Sequence, residues 1–126
     1  MKNLVIPATK KTPEIIFLAS GELLMISGSS FPENVNKFYQ PILDWLEELK
    51  KTKPAKLNIT FDLENVNTSS TRIFLQIIRA IAEIVKDKKS LRIVWKYERE
   101  DVDMLEQGET LEKILNRTFE FIEKAG

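Results

Sequence analysis

Two asparagines and four consecutive hydroxyl residues, Thr68 to Thr71, crowd the stretch FDLENVNTSSTRIF at residues 61 to 74. Serine and threonine do two kinds of work at such a place. One hydroxyl caps a helix by accepting from a first-turn amide, and Asn67, Thr68, Ser69 or Ser70 could each do so. A hydroxyl can also carry an attached group. A cap needs only one side chain, and here four hydroxyls follow the asparagines Asn65 and Asn67. A phosphoryl group at a helix start would meet free N–H donors and the positive end of the dipole. It would add about −1.5 to −2 charge to a loop that already holds Asp62 and Glu64. Capping and attachment both remain open on these residues alone.

Other residue types narrow the chemistry. Histidine and cysteine are absent, which removes the commonest general base, the commonest metal ligand and every thiolate nucleophile. Asp62 and Glu64 form the one carboxylate pair that could divide acid and base roles. No glycine-rich phosphate loop or nucleophile elbow accompanies them, and glycines number four. The carboxylate enzyme is therefore the least supported class, and no catalytic residue is assigned. Glu98, Glu100, Asp101 and Asp103 crowd together without the fixed glycine and terminal glutamate of an EF-hand. They read as a solvated acidic turn, with no metal and no cofactor expected. In SGSSFPENVNKFY, Ser30 and Glu33 have capping-box spacing, and Phe31 suits a hydrophobic staple. The competing reading makes Ser29, Phe31 and Asn34 part of a partner-binding rim.

These groups need a scaffold. With 126 residues the chain is expected to form one domain spanning 1–126. Lysine plus arginine and aspartate plus glutamate each total 19, so no global field would draw in nucleic acid or an anionic membrane. MKNLVIPATKKTPE has too short an apolar run for a signal peptide, and no stretch nears the roughly 18 apolar residues of a membrane span. The expectation is a soluble cytoplasmic protein. Ile15 to Ala19 and Leu23 to Ser27 read as a hairpin turning at Ser20-Gly21. Val35, Phe38, Tyr39, Ile42, Leu46 and Leu49 mark one face of a helix that contains Pro41. Leu57, Ile59, Phe61 and Leu63 alternate with polar residues as a half-buried strand does. A second helix is predicted from Ser69 or Ser70 to Val85, followed by a strand through Leu91, Ile93, Trp95 and Tyr97. Leu111, Ile114, Leu115, Phe119 and Ile122 suggest a last helix. The predicted order is ββαβαβα, a mixed sheet with its helices mainly on one face. Thr68 then follows the C-terminal end of a parallel strand, where ligands and chemistry gather in open α/β sheets.

At these positions the sequence resembles a known family. TPEI near the start, GSSFPENVNKFYQPILDWL (Gly28 to Leu46), NTSS (Asn67 to Ser70) and WKYEREDVDMLEQGE (Trp95 to Glu109) are similar to the SiaC-type regulatory phosphoproteins of bacterial biofilm and surface signalling. The similarity runs over about residues 4 to 110. It implies a STAS-like fold and a non-enzymatic switch. In that family the threonine of NTSS, here Thr68, is phosphorylated by a dedicated kinase and dephosphorylated by a PP2C-type phosphatase. The unphosphorylated form binds and activates a diguanylate cyclase in the best-known system, so the output is cyclic di-GMP. Ser69 and Ser70 are the alternative acceptors. Asn65, Asn67, Thr68, Ser69, Ser70, Ser29, Phe31 and Asn34 are the expected partner-binding residues. The competing function is a passive small-ligand or nucleotide binder in the same crevice.

Overall fold

The computed structural model describes residues 1–125. Six strands form one sheet in chain order: β1 Leu4–Ile6, β2 Glu14–Phe17, β3 Leu24–Ser30, β4 Leu57–Val66, β5 Leu91–Glu98 and β6 Glu120–Lys124. Three helices connect the later strands: α1 Val35–Lys51, α2 Thr68–Ile84 and α3 Val102–Leu115. The first three strands pair antiparallel, and β3 through β6 pair parallel. Each βαβ step moves one place in the same direction across the sheet. Crossovers of one hand then leave all three helices on one face.

The expected hairpin forms as β2 and β3, with Ile15 opposite Ile26 and Phe17 opposite Leu24. Gly21 makes the turn at φ 79°, where a side chain would be strained and would also press on Leu57. The alternation in β4 puts Leu57, Ile59, Phe61 and Leu63 in the core. Trp95 is fully buried, and its indole N–H donates to the Met104 carbonyl at 2.9 Å. Rings run through the core from Tyr39 to Phe74, Phe61, Trp95 and Phe119 at centroid separations of 5.2 to 6.4 Å. Pro41 is accommodated inside α1 on its exposed side.

The predicted order is contained in the observed one, which has one more strand at each end. β1 is three residues long, and its Leu4 and Ile6 pack on the core beside Phe17 and Ile15. The last helix is a correction. Asn116 takes up the left-handed conformation at φ 51° and closes α3, so Phe119 and Ile122 fall in or beside β6. Without β6 the backbone of β5 would have an unpaired edge. The start of α3 is also earlier than predicted, because Asp101 caps it by accepting from the Met104 amide at 3.1 Å. The expected acidic turn is thereby shortened, and Asp103 is helical. Ser30 does not cap α1. It is the buried last residue of β3, while Asn34 caps by accepting from the Lys37 amide at 3.1 Å.

Candidate functional site

The strand β4 runs to Val66 and the chain turns at once into α2, so the hydroxyl cluster lies at the C-terminal edge of the parallel sheet. Asn67 is the cap: its side-chain oxygen accepts from the Ser70 amide at 2.8 Å. That single bond meets the capping need and separates the hydroxyls by fate. Thr68, the first residue of α2, and Ser69 are exposed. Ser70 is fully buried. Thr71 turns toward α3, with its hydroxyl 3.2 Å from Gln107 Oε1. Helical geometry places successive side chains about 100° apart, which is why neighbours in NTSST can be outside, buried and wedged between helices in turn.

Beneath Thr68 is a chain of buried hydroxyls that the sequence pattern does not reveal. Tyr39 and Ser30 are 2.6 Å apart, and Ser30 Oγ donates to Ser70 Oγ at 2.8 Å. A consistent proton order has Tyr39 donate to Ser30 and Ser30 donate to Ser70. Burial pushes the Tyr39 hydroxyl far above the usual tyrosine range. Tyr39 therefore stays protonated and can remain the donor. The Asn67 amide also donates to the Ser30 carbonyl at 3.1 Å, and Asn65 Nδ2 donates to Ser29 Oγ at 3.3 Å. One strand end, one helix and the first turn of α2 are thus joined at Ser30. The signal in the sequence is faint: a serine ending a strand and a tyrosine nine positions later do not announce a contact with residue 70.

Ser29 near the end of β3 and Asn65 near the end of β4 lie side by side, joined by their hydrogen bond. Phe31 is 38% exposed, which makes it a surface residue in place of a staple, and its amide donates to the Lys11 carbonyl. Asn34 is exposed, but its side chain is committed to the cap of α1. Among the described residues no hydrogen bond links Phe31 or Asn34 to residues 65–70. Glu33, expected in a capping box, pairs with Lys11 at 3.1 Å.

The carboxylate pair is not built for catalysis. Asp62 lies on the helix-free face of the sheet and pairs with Lys124 of β6 at 2.8 Å, and Glu64 is exposed at the strand end. Asp101 is used as a helix cap, and among the described residues no group of three acidic side chains is placed to hold a metal ion. No helix among the described residues is long and apolar enough to cross a membrane.

A six-stranded mixed sheet covered on one side by three helices is an architecture shared with a class of regulatory phosphoproteins. The family model described as SiaC family regulatory phosphoprotein matches residues 6–124, and the chain belongs to that family. The apo-SiaC crystal structure from Pseudomonas aeruginosa is similar with a TM-score of 0.84 at 27% identity, covering 99% of this chain and 100% of that one. SiaC in the crystal structure of the diguanylate cyclase SiaD with its activator SiaC, from the same organism, gives a TM-score of 0.86 at 25% identity over 96% of this chain and 99% of that one. An uncharacterised protein of Pseudomonas aeruginosa strain UCBPP-PA14 is 28% identical over 109 residues, 86% of each chain.

Proposed function

We propose that this protein is a phosphorylation-controlled switch whose 126 residues act as one domain. Thr68 accepts a phosphoryl group from a partner kinase and loses it to a PP2C-type phosphatase. The unphosphorylated form binds and activates an effector, a diguanylate cyclase by analogy with the SiaD complex. The observation that carries this reading is the division of the hydroxyl cluster: Asn67 caps α2 and leaves the Thr68 hydroxyl exposed on the first turn. The kinase brings nucleotide and magnesium, and this chain brings a positioned hydroxyl. The partner rim comprises Asn65, Thr68, Ser69, Ser29 and Phe31, with Asn34 at its margin. Asn67 and Ser70 support it from within. Ser69 is the alternative acceptor, whereas Ser70 would have to leave its buried contact with Ser30 to be modified. A switch that depends on an ATP-using kinase works in the cytoplasm.

Mass spectrometry of the protein from its own cells, with and without phosphatase treatment, tests the modification. One phosphatase-sensitive phosphoryl group mapped to Thr68 is the expected result. Titration of Thr68→Ala and Thr68→Glu against the effector tests the switch: the alanine variant should bind and the glutamate variant should bind at least tenfold more weakly. Equal affinities for both would remove the switch and favour a passive ligand-binding domain.

A further inference from the structure

We propose that Arg72 is the internal receiver of the phosphoryl group on Thr68, an inference that rests on the switch reading above. Thr68 is the first residue of α2 and Arg72 stands four positions later, one helical turn along the same side. Side chains at that spacing have their Cβ atoms about 5–6 Å apart, and an anion placed N-terminal to a cation is the better of the two orders. Both residues are exposed. Arg72 joins none of the ion pairs among the described residues, so no carboxylate has to be displaced. Its guanidinium fork can bind two phosphate oxygens at once, which a lysine ammonium cannot.

Carboxylates of β4 and α3 flank the first turn of α2. Glu64 is exposed at the end of β4, and Asp103 and Glu106 of α3 line a shallow depression with Thr71, Gln107 and Thr110 beside the first turn of α2. A phosphoryl dianion would add to the negative charge at this end of α2, and a cation one turn along the helix offsets it. Modification then has two effects on the rim. It adds negative charge at Thr68, and it draws Arg72 back from any acidic group that a partner offers. One cation serves two alternative anions, and the phosphorylation state selects between them.

Phosphorus NMR of the full chain tests this, with phosphothreonine incorporated at position 68 during translation so that no kinase is required. The second ionisation of the phosphate should occur at lower pH in the otherwise unaltered chain than in Arg72→Gln, by about 0.2 to 0.4 pH unit at low salt. Arg72→Lys should keep part of the difference, and about 0.5 M salt should shrink it. Arg79→Gln, a charge loss farther along the exposed side of α2, should leave the midpoint unchanged. Coincident midpoints for the unaltered chain and Arg72→Gln would overturn the proposal. So would an equal shift from Arg79→Gln, which would reduce the effect to net charge. Absence of phosphate on Thr68 in cells would sink the switch reading, and it is distinguishable from failure of the Arg72 contact because the titration does not depend on a kinase.

Discussion

Tyr39, Ser30 and Ser70 show how a few buried polar atoms can set the presentation of a surface residue. Their hydroxyls satisfy one another at 2.6 and 2.8 Å, so none is left unpaired in the core. Tyr39→Phe removes the terminal donor and should lower unfolding stability by about 1–2 kcal/mol, measured by urea titration. It should also change the alkaline response. The Tyr39 hydroxyl is raised in the folded protein by burial, whereas in the unfolded chain a tyrosine ionises near pH 10. The contribution is therefore complete below about pH 10 and is lost as pH rises beyond it, at up to about 1.4 kcal/mol per pH unit. The difference between the two proteins' stability curves should accordingly diminish above that pH. Asn67→Ala removes the cap from α2 and should cost about 1 kcal/mol. Thr68→Glu, by contrast, places a carboxylate at the first helical position and should stabilise by a few tenths of a kcal/mol, about what the helix dipole supplies. A loss of effector binding by Thr68→Glu without a fall in melting temperature would therefore come from the surface and not from unfolding.

Helix α3 is positioned by a close approach to β5. A Cβ at Gly108 would come within 2.6 Å of the Trp95 ring, and the indole N–H is already held by the Met104 carbonyl. Gly108→Ala must push α3 away or turn Trp95 from its buried place. The expected cost is about 1–3 kcal/mol, seen in urea titration together with a change in tryptophan emission. Helix propensity alone would have the alanine stabilise, so the sign of the change separates packing from propensity. The same element shows what local patterns miss. Leu111 and Leu115 continue the apolar period of a helix, and Phe119 and Ile122 fit its extension; the turn at Asn116 depends on a left-handed conformation that an Asn permits but does not compel. The pairing of Val94 with Glu120 and of Trp95 with Phe121 is what secures β6 as a strand.

Across the molecule, β6 ties the end of the chain to the strand that carries the acceptor turn. Lys124 reaches Asp62 on β4, and Arg92 holds Glu120 at 2.6 Å near the opposite end of the β5–β6 pair. Hydrogen bonding from Arg92 is the main cause that lowers the Glu120 carboxyl from its ordinary value of 4.5. This exposed pair contributes above that pH and loses its contribution as pH falls through the lowered folded value. Glu120→Gln should flatten the acid limb of the stability curve below about pH 4.5, while leaving the curve near neutrality almost unchanged. Truncation after Arg117 would remove Phe119 from the core and free the β5 edge; the expected product self-associates in size-exclusion chromatography.

The amino-acid sequence by itself determined the central βαβ elements, the one-sided placement of the helices and the position of Thr68 after β4. Each of these follows from interactions that repeat locally, apolar residues at strand or helix spacing and short polar turns. The family resemblance added the phosphoacceptor reading, on motifs that lie around that same turn. Only the tertiary structure decided which hydroxyls of NTSST are exposed, that Asn67 is the cap, that Ser30 belongs to the core and that Glu120–Lys124 form a strand. The burial of Ser30 and Ser70 depends on partners 9 and 40 positions apart, Tyr39 with Ser30 and Ser30 with Ser70, and the last strand depends on the unpaired edge of β5. A sequence window records what each residue prefers among its neighbours, whereas burial of a hydroxyl is favourable only when the fold supplies its distant hydrogen-bond partner.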